Sequence, residues 1–246
     1  MSPPMKISIV VPAYNEARGL PATLASIRRS TAAFDARGWT HELIVCDNNS
    51  TDGTGEIARA AGATVVFEPV NQISRARNTG AARATGNWLL FVDADSHPSP
   101  ELFADAAGAI ASGHCVAGGA TVALDGGTAL GRVVVTIWNA ISRLGRLAAG
   151  SFIFCEARAF RDAGGFSLEL FATEELELFK RLKRLARATG RTIVILDEHP
   201  LVTSDRKARL YTKREVAGSI FKSALTLGRA VRNRDDCYVW YDGRRE

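Results

Sequence analysis

Two aspartates one residue apart, Asp93 and Asp95, stand directly after the apolar run Trp88–Val92 (WLLFV). In extended chain, residues two apart project to the same side, so both carboxylates can face one cation. A hard divalent ion, Mg²⁺ or Mn²⁺, takes oxygen ligands and often bridges to substrate phosphates. The competing reading is a strand-end turn capped by two carboxylates. Two further polar clusters follow apolar runs in the same way: Pro12-Ala13-Tyr14-Asn15-Glu16 after Lys6–Val11, and Asp47-Asn48-Asn49-Ser50 after Glu42–Cys46. Neither GxGxxG nor GxxxxGK[ST] occurs at these positions, so the dinucleotide and P-loop cradles are excluded and a nucleotide must be held differently.

The elements that must position these clusters alternate. Lys6–Val11 (KISIVV) reads as a β-branched strand stopped by Pro12. Leu20, Leu24 and Ile27 give Glu16–Ser30 one apolar helical face. Glu42–Cys46 is a second strand, and Thr51 or Asp52 caps a helix over Thr54–Ala61. Ala63–Phe67 is a third strand, Ser74–Ala84 a helix and Trp88–Val92 a fourth strand. Strands alternating with helices through short loops predict a parallel sheet with right-handed crossovers, buried on both faces. In such sheets ligands bind beyond the carboxyl ends of the strands, where all three polar clusters fall.

Beyond about residue 113 the rhythm changes. The expected elements are a Gly-rich strand region over His114–Gly127, an apolar helix near Leu130–Leu147 and a strand over Ser151–Cys155. A turn at Gly164-Gly165, a charged helix over Glu174–Ala188, a strand over Arg191–Leu196 and a basic amphipathic helix from about Lys213 to Val231 follow. One domain over 1–246 is the simplest organisation, with a first half to about 112 and a second half over about 113–246.

With 46% hydrophobic and 23% charged residues, the 246-residue chain has the composition of a globular protein, not of a disordered one. No run approaches the roughly 18 apolar residues of a spanning helix. The start MSPPMK lacks the apolar core of a signal peptide, so a cytoplasmic protein is expected. Four cysteines without a CxxC read as reduced, buried thiols. The net charge of +5 is uneven: residues 180–246 hold 17 Lys and Arg against 8 Asp and Glu, whereas residues 1–179 hold 14 against 18. That asymmetry suits either a metal site facing an anionic ligand or contact with an anionic membrane. No nucleic-acid partner is expected.

In order, VVPAYNE, CDNNSTDGT and SRARNTGAARATGNWLLFVDAD resemble glycosyltransferase family 2 with the GT-A fold, over residues 6–100 and more loosely over 150–182. The resemblance implies an α/β fold, a central mostly parallel sheet flanked by helices, that transfers a sugar from a nucleotide-diphosphate donor, a UDP- or GDP-sugar, to a hydroxyl acceptor. By the same resemblance Pro12, Ala13, Tyr14 and Glu16 wrap base and ribose, and Asp47 contacts the base with Asn48 beside it, where the family pattern has a second aspartate. It also implies that Arg77 lies near the nucleotide, that Asp93 touches ribose or metal, and that Asp95 is the principal ligand of a divalent cation, Mg²⁺ or Mn²⁺. For Arg77 the plainer alternative is an exposed helix arginine.

The family's catalytic base is the aspartate of a Glu-Asp pair at a helix start. The matching residues are Glu174 and Glu175, so Glu175 takes the base position, with Glu174 the weaker candidate. A helix N-terminus favours the ionised carboxylate needed to accept a proton; an acidic first turn balancing Lys180–Arg184 is the alternative. Gly150-Ser-Phe-Ile and Gly164-Gly165-Phe166 resemble an acceptor-side loop whose glycines admit close approach of a sugar. From their own chemistry, Arg206 and Lys207 suit clamping a diphosphate or forming a solvated loop. His199 suits a third metal ligand or a structural histidine, and His97 is a weaker candidate. The final basic helix suits contact with a membrane carrying a lipid-linked acceptor, or simple packing on the domain. Two rival functions fit parts of the pattern: a sugar-phosphate nucleotidyltransferase, disfavoured by the segment after the first strand, and an inactive nucleotide-sugar-binding or membrane-docking module.

Overall fold

A computed structural model describes residues 4–126, 129–204 and 230–237. The first half follows the predicted alternation. Strand β1 (Lys6–Ala13) lies between β2 (Thr40–Asp47) and β4 (Trp88–Val92), parallel to both, and β3 (Thr64–Phe67) adds in parallel outside β2. The helices between them are α1 (Leu20–Ser30), α2 (Ala32–Asp35), α3 (Thr54–Ala60) and α4 (Ile73–Arg83).

Boundaries shift where a local reason exists. β1 runs through Pro12, because the Ala13 carbonyl turns to the Asn48 N–H (2.8 Å) and alternation faces Pro12 toward β4, where the ladder already ends at Val10↔Phe91. α1 starts at Leu20 instead of Glu16, with Gly19 as N-cap and Pro21 in the first turn. Gly53 occupies the N-cap of α3, while the Asp52 carboxylate accepts from the Thr54 N–H (3.2 Å) and the Ala17 N–H (3.0 Å).

Beyond β4 come the two-residue β5 (Ser96–His97), α5 (Pro100–Ala111), β6 (Cys115–Asp125), α6 (Ala129–Gly145), β7 (Phe152–Glu156), α7 (Ala157–Asp162), α8 (Glu174–Ala188) and β8 (Thr192–Ser204). Among the described residues one eight-stranded sheet runs in the order β3-β2-β1-β4-β7-β6-β8-β5. β7 is antiparallel to β4 and β6, β6 is parallel to β8, and β5 is antiparallel to β8. The single sheet therefore crosses from the first half into the second through the β4–β7 pair.

α5 was not expected from the sequence, although Ser99 caps it by accepting from the Leu102 N–H (3.1 Å) and Pro100 opens it. The predicted helix from Lys213 falls outside the described residues up to 229. Its last residues, Ala230–Arg232, form a 3₁₀ turn.

Every residue of β4 is buried, and alternate residues serve opposite cores. Leu90 and Val92 join Ile7, Ile9, Val11 and the α1/α5 side chains, whereas Leu89 and Phe91 join Val10, Ile153, Phe160, Phe166 and α8. Burial on both faces is what the unbroken apolar strands predicted. At Gly80 a Cβ would collide with the Val10 side chain, so α4 lies close on β1 and carries its polar residues to the strand ends. All four cysteines are free and buried.

Candidate active site

The first two polar clusters interlock. Asn15 and Asn49 adopt left-handed backbone (φ 51° and 66°), a conformation asparagine tolerates. The Asn15 N–H donates to Ser50 Oγ (3.0 Å), the Thr51 N–H donates to Asn15 Oδ1 (2.8 Å), and the Glu16 N–H donates to Thr54 Oγ1 (2.9 Å). Asp47 closes its own turn by accepting from the Ser50 N–H (2.9 Å). Ala13 and Glu16 are buried here, and Tyr14 is half-buried.

Asn48, expected beside the base, is engaged by nearby backbone. Its buried amide donates to the carbonyls of Glu68 (3.2 Å) and Val70 (2.7 Å) and accepts from the Gln72 N–H (3.0 Å). It ties the end of β2 to the segment entering α4, because a buried amide must find its partners nearby.

The third cluster opens on a cleft of about 350 Å³ whose walls include Arg77, Asp93, Asp95, Gly150, Glu174 and Glu175. Four elements converge there: α4 brings Arg77, the end of β4 brings the aspartates, the segment after α6 brings Gly150, and α8 brings the glutamates. The aspartates do not share the cleft by strand alternation. The chain turns after β4, with the Ser96 N–H donating to the Asp93 carbonyl (3.1 Å), and this turn carries Asp95 to the same opening.

Arg77 is not an exposed helix residue. It is 1% exposed. Its Nη1 donates to Glu174 Oε1 (2.6 Å), and its Nη2 donates to Asp93 Oδ1 (2.9 Å) and the Gly150 carbonyl (2.9 Å). The guanidinium lies over the Phe166 ring at 5.2 Å, while its Nε has no partner. Burial opposes its charge, and Asp93 and Glu174 outweigh that and raise its pKa. Arg77 is the brace between the aspartate turn and the head of α8.

Glu174 is buried against that brace. Glu175 beside it is pushed up to about 8, first by burial and then by the charge of Glu174, with Arg77 counteracting. The expectation that the helix N-terminus keeps Glu175 ionised is thus corrected: desolvation and a like charge outweigh the dipole. The cap itself is unusual, since Thr173 has left-handed backbone (φ 61°) and no side-chain cap bond.

His199 does not join the cleft. It lies where β6 and β8 slip register, and its Nδ1 meets Asp105 Oδ2 on α5 (2.8 Å). Asp105, Glu198 and His199 place ligand-type atoms within 4.8 Å of one another, so His199 belongs to a separate group from Asp93 and Asp95. His97 sits in β5 opposite Val202. Arg206 and Lys207 lie outside the described residues. Gly164 and Gly165 are both left-handed, and Gly165 brings the chain against Asn78 of α4. There Asn78 exchanges two 2.9 Å bonds with the Phe166 backbone. The sequence reading missed Phe166 as the ring under Arg77 and Gln72, whose Nε2 donates to the carbonyls of Leu168 and Leu170 (both 2.9 Å). Only the double glycine before Phe166 signalled a close crossing.

The sequence pattern of glycosyl transferase family 2 matches residues 8–161, and the chain belongs to that family. Glycosyltransferase AglE of Haloferax volcanii is 35% identical over 98 residues, 37% of this chain and 31% of AglE. The matched stretch therefore spans about a third of that relative's length. Mannosyltransferase PcManGT from Pyrobaculum calidifontis, solved with GDP-Man and Mn²⁺, superimposes with a TM-score of 0.68 at 20% identity, covering 90% of this chain and 62% of its own. S. aureus TarS 1-349 in complex with UDP gives 0.64 at 23% identity, covering 86% and 62%. These likenesses are ones of fold, the GT-A fold.

Proposed function

We propose that this chain is a metal-dependent glycosyltransferase that moves a sugar from a UDP- or GDP-sugar to a hydroxyl acceptor with inversion. The observation that carries it is the meeting of Asp93 and Asp95 with Glu174 and Glu175 in one cleft of a family 2 chain. The relatives of known structure were solved with UDP or with GDP-Man and Mn²⁺, which supports the donor class. Residues 1–246 act as one unit in this reading, with the donor on the first half and the acceptor on the second.

The donor set fits a hard divalent ion, Mg²⁺ or Mn²⁺. Asp93 and Asp95 offer carboxylate oxygens at one strand end, and Arg77 engages only Oδ1 of Asp93. When bound, such an ion stabilises the negative charge that develops on the leaving nucleoside diphosphate. Glu175, once ionised, takes the proton of the acceptor hydroxyl as that oxygen forms its bond to the anomeric carbon. The bond from that carbon to the diphosphate breaks on the opposite side, and the electron pair leaves with the diphosphate. Arg77 holds Asp93 and Glu174 in place from behind. Pro12, Ala13, Tyr14, Glu16 and Asp47 form the rim for base and ribose.

The test is the melting temperature with UDP or GDP, with and without Mn²⁺ or Mg²⁺. A ligand that binds only the folded state raises it by mass action. A rise that needs the metal and vanishes in Asp95→Ala supports the reading. No rise with any nucleotide and metal overturns it.

A further inference from the structure

α6 exposes an apolar side that the catalytic reading does not use. Val133, Val134, Ile137, Ile141 and Leu144 are 53%, 57%, 55%, 49% and 89% exposed. At helical spacing they fall within about 100° of arc. The helix cannot roll to bury them. Val135 and Trp138 pack on the core from the other side, and the Asn139 side chain accepts from the Val122 N–H (3.0 Å) and donates to its carbonyl (2.9 Å). A fixed stripe of exposed aliphatic side chains marks a contact surface.

The charges around the stripe say what it meets. No Asp or Glu occurs from Gly126 to Cys155, and Arg132 and Arg143 lie beside the stripe. Leu144, the most exposed of the five, rims a crevice of about 270 Å³ that Arg146, Lys183, Arg187 and Arg191 also line. Among the described residues, Asp197 pairs with Arg143 (3.0 Å) and Glu156 pairs with Arg191 at this surface. Lys183 lies below the usual lysine range, through burial and then through Arg187, Arg146 and Lys180, so an anion in the crevice would relieve crowded positive charge.

We propose that this side of α6 docks on an anionic lipid bilayer, with the stripe in the headgroup–acyl boundary and lipid phosphates at the basic crevice. An aliphatic stripe beside clustered cations is the signature of an interfacial helix. A free phosphate would leave the stripe in water. A two-fold contact with a second copy would set the two basic clusters near each other, a repulsive arrangement. The helix lies on the surface and does not span it, since no helix among the described residues is long and apolar enough to cross a membrane. Gly150 and Ser151 of the cleft wall follow α6 within a few residues, so the docked surface and the cleft are joined by one short stretch of chain. This inference goes beyond the donor chemistry and does not rest on it.

The experiment is vesicle flotation of the full chain with phosphatidylcholine alone and with added phosphatidylglycerol. The wild type is compared with Val134→Ser/Ile137→Ser/Leu144→Ser and with Arg146→Glu/Arg187→Glu. Wild type floats with the anionic vesicles only, and each variant weakens binding at least tenfold at an unchanged melting temperature. Both variants keep the basic residues beyond 204, so retained wild-type binding in either one overturns the proposal. Failure of the wild type to float overturns it as well. A dimer in sedimentation equilibrium that the Ser variant dissolves gives the surface to a second copy instead. Metal-dependent stabilisation by UDP or GDP, measured without vesicles, survives in the Ser variant, so the two proposals fail separately.

Discussion

The β1–β2 rim and the cleft both gather polar side chains at strand ends, yet they use them differently. At the rim, Asn15, Asp47, Asn48 and Asp52 are engaged with neighbouring backbone N–H and carbonyl groups, which fixes the loops. In the cleft, the carboxylates of Asp93, Glu174 and Glu175 gather around the single guanidinium of Arg77 among the described lining residues. Satisfied polar groups shape a surface, whereas an excess of one charge stores affinity for the other. The cleft is therefore where a cation and a developing charge are to be sought, and the rim is the frame.

The largest effect expected is on turnover. Glu175→Gln lowers kcat by about 10²–10⁴ while leaving metal-dependent nucleotide stabilisation in place, since it removes a base and not a ligand. Donor turnover with and without acceptor, beside melting shifts, checks this. Loss of the nucleotide shift together with turnover would move Glu175 to the binding side of the comparison.

Next is the brace. Arg77→Met leaves Glu174 buried without its partner and costs about 3–5 kcal/mol in denaturant unfolding. Arg77→Met/Glu174→Met costs less than Arg77→Met alone, because the most deeply buried of the carboxylates that Arg77 pairs with is removed along with its partner. If the double variant were the worse of the two, Glu174 would stabilise the head of α8 without Arg77, and the pair would not be the brace.

A rim residue gives the counterpart. Asn48→Leu strands backbone groups near Glu68 and Gln72 and costs about 1–3 kcal/mol. If Asn48 instead serves the base, its loss changes UDP against GDP preference at unaltered stability, and the distinction between frame and cleft weakens.

The pH dependence follows from Glu175, whose folded value of about 8 lies above the ordinary 4.5. Between these values the folded state holds a proton that the unfolded state has released, so this group makes stability fall as pH rises, with no further change above about 8. The melting-temperature advantage of Glu175→Gln over wild type accordingly widens from pH 4.5 to about 8 and then stays level. Turnover rises over the same interval, because the base must be ionised.

The smallest effect belongs to the separate group on α5 and β8. Asp105→Asn leaves stability nearly unchanged, since its pair with the partly exposed His199 is screened by water. It leaves metal-dependent nucleotide binding untouched. A lost metal response there would make Asp105, Glu198 and His199 part of the donor site.

Much of the fold was legible because its signals are local. β4 and α8 start and end where the apolar run and the charged periodicity predict. Boundaries moved where Gly19 or the free side of Pro12 reset the local geometry, and at α3 the cap fell to Gly53. α5 carried a readable Ser-Pro cap that the polar clusters around it obscured. The double glycine before Phe166 signalled close approach, and only the fold told that α4 was what it approached.

From residue types and order alone came the α/β class, the alternation of the first half, the strand-end placement of the three clusters, and the pairing of Asp93 and Asp95 with Glu174 and Glu175 through family resemblance. Those features depend on periodicity and neighbouring residues, which a linear chain displays. Tertiary structure alone decided that Arg77 is a buried brace, that Asn48 serves the backbone, that His199 sits with Asp105, and that Glu175 lies well above the usual carboxylate range. Each of these depends on burial, and the first three on partners 16 or more residues away, as between Arg77 and Asp93. Solvation and charge at a site are sums over everything that surrounds it, and no spacing in the chain records them.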